Sequence, residues 1–136
     1  MTEAELQTMV ADYLRMRYPN VLFHSDFGSG IKLTKGQAVK QKRQNGGRRG
    51  WPDMFIAEPV EIDKGEISWR NRHGMFLELK KEGTRVLKKD GTPATEHIGE
   101  QLKVLEALGK KGYACYMVCG FDEAKDVIDE YLGDRK

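Results

Sequence analysis

Three side chains in this sequence stand at a spacing that suits phosphodiester chemistry: Asp53, directly after Pro52, and the pair Glu78 and Lys80 on either side of Leu79. On a β-strand, residues two apart point to the same face, about 6.5–7 Å from each other, so Glu78 and Lys80 project together while Leu77 and Leu79 turn into a core. That face is expected to be wet or functional. Asp53 opens a short apolar run, Met54 to Ala57, which reads as a neighbouring strand. Adjacent strands lie about 4.8 Å apart, close enough for two carboxylates to share one divalent cation. Hard oxygen ligands suit Mg2+ or Mn2+, which can lower the pKa of a water and offset charge developing on phosphorus. The Lys80 ammonium beside them could orient that water or share its proton. Glu-x-Lys pairs also decorate ordinary exposed strands. The Gly50-Trp51-Pro52-Asp53 turn, the apolar residue after each acid and the cations upstream favour chemistry here.

The elements that must hold these groups follow from periodicity. Leu6, Met9, Val10, Tyr13 and Leu14 recur at helical spacing and predict a helix over Thr2 to Arg17, with Thr2 and Glu5 forming a capping box. Pro19 and Asn20 stop it. Val21 to Phe27 reads as a strand that ends in the Gly28-Ser29-Gly30 turn. Gln37 to Gln44 could form a short helix, with Gly46, Gly47 and Gly50 making a pliable loop after it. Glu58 to Gly74 suggests an exposed hairpin around Asp63-Lys64-Gly65. Met75 to Lys81 is a strand and Glu82 to Thr95 a loop. A helix follows through Ile98, Leu102, Leu105 and Leu108, stopped near Gly109 and Gly112. Tyr113 to Cys119 reads as a buried strand, and Phe121 to Leu132 as a closing helix with Asp122 as N-cap and Gly133 at its end. Helices alternating with strands predict an α/β domain in which a central mixed β-sheet is flanked by helices, with the strands around the second long helix parallel.

From Ile31 to Gly50 the chain carries seven cations, Lys32, Lys35, Lys40, Lys42, Arg43, Arg48 and Arg49, and no Asp or Glu. Such a run is often no more than solvated surface. Interleaved with Gly and Gln and leading into the acidic site, it fits contacts to a phosphate backbone, which position a strand without reading its sequence. Trp51 could stack on an unpaired base or simply anchor the turn. His24 falls on a strand, and His73 and His97 are expected in loops, with no spacing that suggests zinc. Ser25 and Ser29 lack a His and an acid in a nucleophile arrangement. Gly46, Gly47 and Gly50 form no phosphate loop, because no Gly-Lys-Ser or Gly-Lys-Thr follows.

The 136 residues fit one domain, residues 1–136, and 23 basic against 21 acidic side chains leave a net charge of +2. With 39% hydrophobic and 32% charged residues, the chain is too apolar for disorder and too charged for a membrane span. No apolar run approaches roughly 18 residues and no leader pattern opens the sequence, so a cytoplasmic location away from membranes is expected. Cys115 and Cys119 are read as reduced, buried thiols.

Pro52-Asp53 followed by Glu78-Leu79-Lys80 resembles the PD-(D/E)xK nuclease superfamily, and the flanking pattern resembles its VRR-NUC branch, the virus-type replication-repair nuclease domain. The likeness runs through an acid near the start of the first helix, the Gly-x-Pro-Asp turn, the Phe-Leu-Glu-Leu-Lys strand, Glu100-Gln101 on a helix and a Gly-Tyr strand near the end. The charged segment from Glu58 to Gly74 is extra to the minimal pattern. The resemblance implies a restriction-endonuclease-like core, with Asp53 and Glu78 as metal ligands, Lys80 as the catalytic lysine, Gln101 helping to place it, and the Leu79 carbonyl offered to Mg2+ or Mn2+. It also expects an acid from the first helix. At roughly 100° per residue, Glu3 falls roughly 50° from the centre of the apolar stripe and Glu5 roughly 110°, which favours Glu3. The implied protein is a metal-dependent DNA endonuclease of phage or viral replication or repair, selective for branched or junction DNA and acting as a homodimer. The alternative is a non-catalytic nucleic-acid-binding module with a vestigial site. A third reading is a nuclease directed at RNA.

Overall fold

The computed structural model describes residues 1–26, 32–61 and 71–133. Its elements run α1 (Glu3–Arg17), β1 (Phe23–Ser25), α2 (Lys35–Gln44), β2 (Met54–Ile56), β3 (Met75–Lys80), α3 (Glu96–Lys110), β4 (Ala114–Cys119) and α4 (Gly120–Leu132). The four strands form one mixed sheet in the order β1-β2-β3-β4, with β1–β2 and β2–β3 antiparallel and β3–β4 parallel. This is the expected α/β architecture, including the parallel crossover through α3.

One face of the sheet builds the core. Met54, Ile56, Met75, Leu77, Leu79, Ala114 and Val118 alternate inward and pack against Leu6, Val10 and Leu14 of α1 and Ala124, Ile128 and Leu132 of α4. Each Leu, Ile, Val and Met side chain among these contributes about 1.5–3 kcal/mol by leaving water. α1 begins where its sequence directs: the Thr2 hydroxyl accepts from the Glu5 N–H, and the Glu5 carboxylate accepts from the Thr2 N–H. α1 and α4 are joined by Asp129, which accepts from the Tyr13 and Tyr18 hydroxyls at 2.5 and 2.6 Å and from Lys125 at 2.9 Å.

Several boundaries differ from expectation. The first strand is only Phe23–Ser25; Phe27 and the Gly28-Ser29-Gly30 turn lie outside the described residues, as does the Asp63-Lys64-Gly65 hairpin tip. That segment is represented by an antiparallel bridge between Val60 and Arg72. His97 is not in a loop. α3 starts at Glu96 because the Thr95 hydroxyl accepts from the Ile98 N–H, which places His97 in the first turn. Asp122 is not the N-cap of α4. β4 runs straight into the helix through Gly120, whose φ of +85° makes the bend, so Cys119 occupies the cap position without a side-chain cap bond. Cys115 and Cys119 are free thiols and half-buried.

α2 stands apart from the core. It buries no residue, and its Thr34 and Gln37 form a second capping box. Ten residues are too few to hold a helix well without packing, so α2 depends on its caps and on what it meets. Among the described residues, no helix is long and apolar enough to cross a membrane.

Candidate active site

The second face of the sheet carries the charged groups. The β2–β3 register pairs Met54 with Leu77, and one step further along the same antiparallel ladder sets Asp53 opposite Glu78. Opposed residues share a face at about 4.5–5.5 Å between Cβ atoms. Met54 and Leu77 point into the core, so the two acids point together to the opposite side. β2 ends there, but β3 continues to Lys80. The Leu79 N–H, left beyond the last rung, donates instead to Asp53 Oδ2 at 2.8 Å. The carbonyl of an extended residue leaves from the same edge as its N–H, so the Leu79 carbonyl shares the Asp53 side.

Of the two expectations for this face, wet or functional, the first does not hold at the site. Glu78 is 2% exposed and Lys80 6%. Gln101 of α3 closes over them, its Nε2 donating to Glu78 Oε1, while Lys80 Nζ stands 3.9 Å from the same oxygen. Gly50 makes this approach feasible: with φ +82°, it lies where a Cβ would come within 2.9 Å of the Gln101 N and the Glu100 carbonyl carbon. Gly50 is therefore pinned against α3, not part of a pliable loop. Gly46 and Gly47 have open space around them.

The electrostatics are unbalanced. Burial, first, and then the hydrogen bond and charge of Asp53 push the Glu78 carboxyl far above the ordinary carboxylate range, against the opposing pull of Lys80. A second acid this close disfavours the charged form of Glu78. Glu78 Oε2 and Gln101 Oε1 are buried and have no hydrogen-bond partner. Such orphans are costly in a native interior unless something completes them. An acceptor-only pair of acids with one unpartnered oxygen fits a hard divalent cation, and Mg2+ is commonly held by one or two carboxylates while keeping several waters. The donor set therefore fits the metal that the resemblance implies. Among the described residues, no three His, Cys, Asp or Glu side chains stand gathered as a ready cage; the gathered pair is Asp53 with Glu78.

The pair opens onto a cleft of about 1710 Å³. Glu3 lines that cleft with Asp53 and Glu78, and its charge acts on Glu78. Glu5 is exposed and engaged with Thr2. Of the seven cations, Lys35, Lys42, Arg43, Arg48 and Arg49 line the cleft; Lys32 and Lys40 do not. Trp51 also lines it, 37% exposed, with its indole N–H donating to the Asn45 carbonyl and its ring tilted over Phe76 at 6.4 Å. The ring is thus fixed at the wall, and anchoring and exposure coexist. Sequence reasoning passed over Asp26 and Gln7. Asp26 lines the cleft, and its N–H donates to the Asp53 carbonyl at 2.7 Å. A single acid just past the end of β1 gives no spacing signal. Gln7 donates to the Asp26 carbonyl at 3.0 Å.

No protein-family model matches the chain, and no curated protein matches it. It is similar to a solved structure described as a "VRR_NUC domain protein", at 26% identity and a TM-score of 0.65, over 97% of this chain and 88% of that one.

Proposed function

The chain has a VRR-NUC-like fold, and from it we propose a metal-dependent deoxyribonuclease that hydrolyses phosphodiester bonds. The observation that carries the proposal is the pairing of Asp53 with the buried Glu78, which keeps an orphaned oxygen, beside Lys80 and open to a cleft walled by cations. Asp53 and Glu78 would hold the ion, with the Leu79 carbonyl and Glu3 as the further oxygen donors within the same region. A bound Mg2+ or Mn2+ would supply Lewis acidity toward the phosphodiester and its attacking water.

The chain's own residues then divide the remaining work. The Leu79 N–H fixes one oxygen of Asp53, and Gln101 fixes Oε1 of Glu78, which leaves Oε2 as the oxygen without a partner. Lys80 carries a proton-bearing amine next to that carboxylate. It is the group suited to orient the attacking water, or to pass a proton to the leaving oxygen as the P–O ester bond breaks. Arg48, Arg49, Arg43, Lys42 and Lys35 would hold the sugar-phosphate backbone along the cleft, a grip that depends on shape more than on bases. Trp51 offers a fixed ring on which an unpaired base could stack. Branched or junction DNA in phage or viral replication or repair, cut by a homodimer that places one site on each strand, is the substrate and setting that the family resemblance favours.

A second reading has its own support. The cations that line the cleft would serve a nucleic-acid-binding module with vestigial carboxylates equally well. One gel separates the two. Supercoiled plasmid and synthetic junctions are incubated with the protein in Mg2+, Mn2+ or EDTA, with Lys80→Ala in parallel. The nuclease reading expects cleavage that needs the metal and is lost in Lys80→Ala. Binding without cleavage in either metal would establish the module instead, and a preference for RNA hairpins would redirect the enzyme to RNA.

A further inference from the structure

Four polar side chains are buried among the described residues: Glu78, Lys80, Gln101 and Gln7. The first three meet at the site. Gln7 lies on α1, between Leu6 and Val10 on the stripe that faces the core, where an apolar side chain would pack without cost. Burying an amide there is unfavourable unless its hydrogen bonds are made, so the bond it makes should explain its presence. That bond runs to the carbonyl of Asp26. Asp26 in turn continues the β1–β2 ladder one rung beyond Ser25↔Met54, its N–H donating to the Asp53 carbonyl.

We infer that Gln7 is a positioning residue, which locks the Asp26–Asp53 rung from behind and thereby sets where the Asp53 carboxylate stands. The inference rests on the nuclease reading. Three hydrogen bonds form a chain that ends on Asp53, two of them reaching it directly. Gln7 of α1 holds Asp26 at 3.0 Å, Asp26 holds the Asp53 main chain at 2.7 Å, and Leu79 of β3 holds the Asp53 side chain at 2.8 Å. The rung lies beyond the end of a three-residue edge strand, where the first bond supports it. The same bond sets the position of α1 along its axis. Glu3 lies one turn before Gln7, on the same helix face, and reaches the cleft only if that position is kept. One amide therefore governs two of the acids without touching substrate or ion.

The test uses the intact protein and two variants. Gln7→Met keeps the volume but removes the donor; Gln7→Glu keeps the shape but turns a carboxylate toward a carbonyl, and serves if the first variant does not fold. Mn2+ is titrated into cleavage reactions and, separately, into protein alone by calorimetry, with Lys80→Ala as the control for the site itself. Loss of an outer-shell partner costs about 10- to 100-fold in metal affinity or activity. The expected result is a shift of about tenfold or more in the Mn2+ concentration for half-maximal cleavage, with DNA affinity in EDTA unchanged. A merely structural Gln7 would lower the melting temperature and leave the Mn2+ curve superimposed on the wild type, which overturns the inference while Lys80→Ala still upholds the nuclease reading. A wild-type protein that neither binds Mn2+ nor cuts overturns both.

Discussion

Two carboxylates in this molecule are treated in opposite ways by their surroundings. Burial alone would push the Asp129 carboxyl upward, but the Tyr13 and Tyr18 hydroxyls and the Lys125 ammonium overrule it and hold it down to about 2. Glu78 is more deeply buried, faces a second acid, and keeps an oxygen that nothing satisfies, so its carboxyl is driven up. Both are knots between distant parts of the chain. The first is closed by the protein's own donors and works as a staple between α1 and α4. The second is left open on the positive side, and its imbalance is what a cation would remove. A fold that satisfies one carboxylate so fully and leaves another short is separating support from chemistry.

The largest effects should come from the open knot. Asp53→Asn is expected to lower the cleavage rate by at least about 100-fold, because the metal's contribution is lost with its ligand; retention of the wild-type rate on plasmid would mean that the acids are misassigned. Glu78→Gln should be equally inactive, yet more stable than the metal-free wild type by about 1 kcal/mol, since it removes the cost of keeping a buried carboxyl protonated in the folded state. A chemical-denaturation midpoint below that of the wild type would break the contrast.

The closed knot should behave in the reverse sense. Asp129→Ala leaves the Tyr18 hydroxyl buried without its acceptor and should cost about 2–3 kcal/mol of stability, while the rate per folded molecule stays at the wild-type level. A drop in rate at full folding would tie the staple to the chemistry and undo the separation.

The two acids also predict opposite pH trends. Glu78 holds its proton in the folded state above the 4.5 at which the unfolded chain releases it, so its contribution weakens the metal-free protein as the pH rises beyond that value. Asp129, held below its ordinary 3.8, contributes stability above that value and loses it as the pH falls toward about 2. An ion that displaces the Glu78 proton should therefore stabilise more at pH 8 than at pH 5.5. Thermal melts with and without Mn2+ at the two values check this, and an equal shift at both would count against it. The smallest effect concerns the cleft wall. Charge reversal at Arg48 and Arg49 should weaken binding to many DNA sequences alike and reduce the slope of log affinity against log salt by about 2. A loss confined to one sequence would indicate base reading instead.

Much of this was legible in the chain. The apolar alternation of β3, the stripe of α1 and the Thr2–Glu5 capping box are local signals, and the structure follows them. The pairing of Asp53 with Glu78 could be inferred because strand periodicity and strand spacing together restrict where two such residues can meet. What was not legible arrives from a distance. Charge in β3 reads as a wet face until Gln101 comes over it from α3, and Gly50 reads as slack until α3 is found against it. The start of α4 was missed because the decisive residue is Gly120, whose left-handed backbone lets the helix follow the strand directly, while Asp122 merely has the composition of a cap. Gln7 was hidden for the same reason: on an apolar stripe, an amide signals nothing until the carbonyl opposite is known.

The central claim is that Asp53 and Glu78 form one ion site. Calorimetric titration of Mn2+ into the intact protein in the absence of DNA tests it most directly, with Asp53→Asn and Glu78→Gln alongside. One Mn2+ per chain is expected for the wild type, with release of a proton on binding, and loss of that binding in both variants. Mn2+ uptake that is unchanged by either substitution would contradict it.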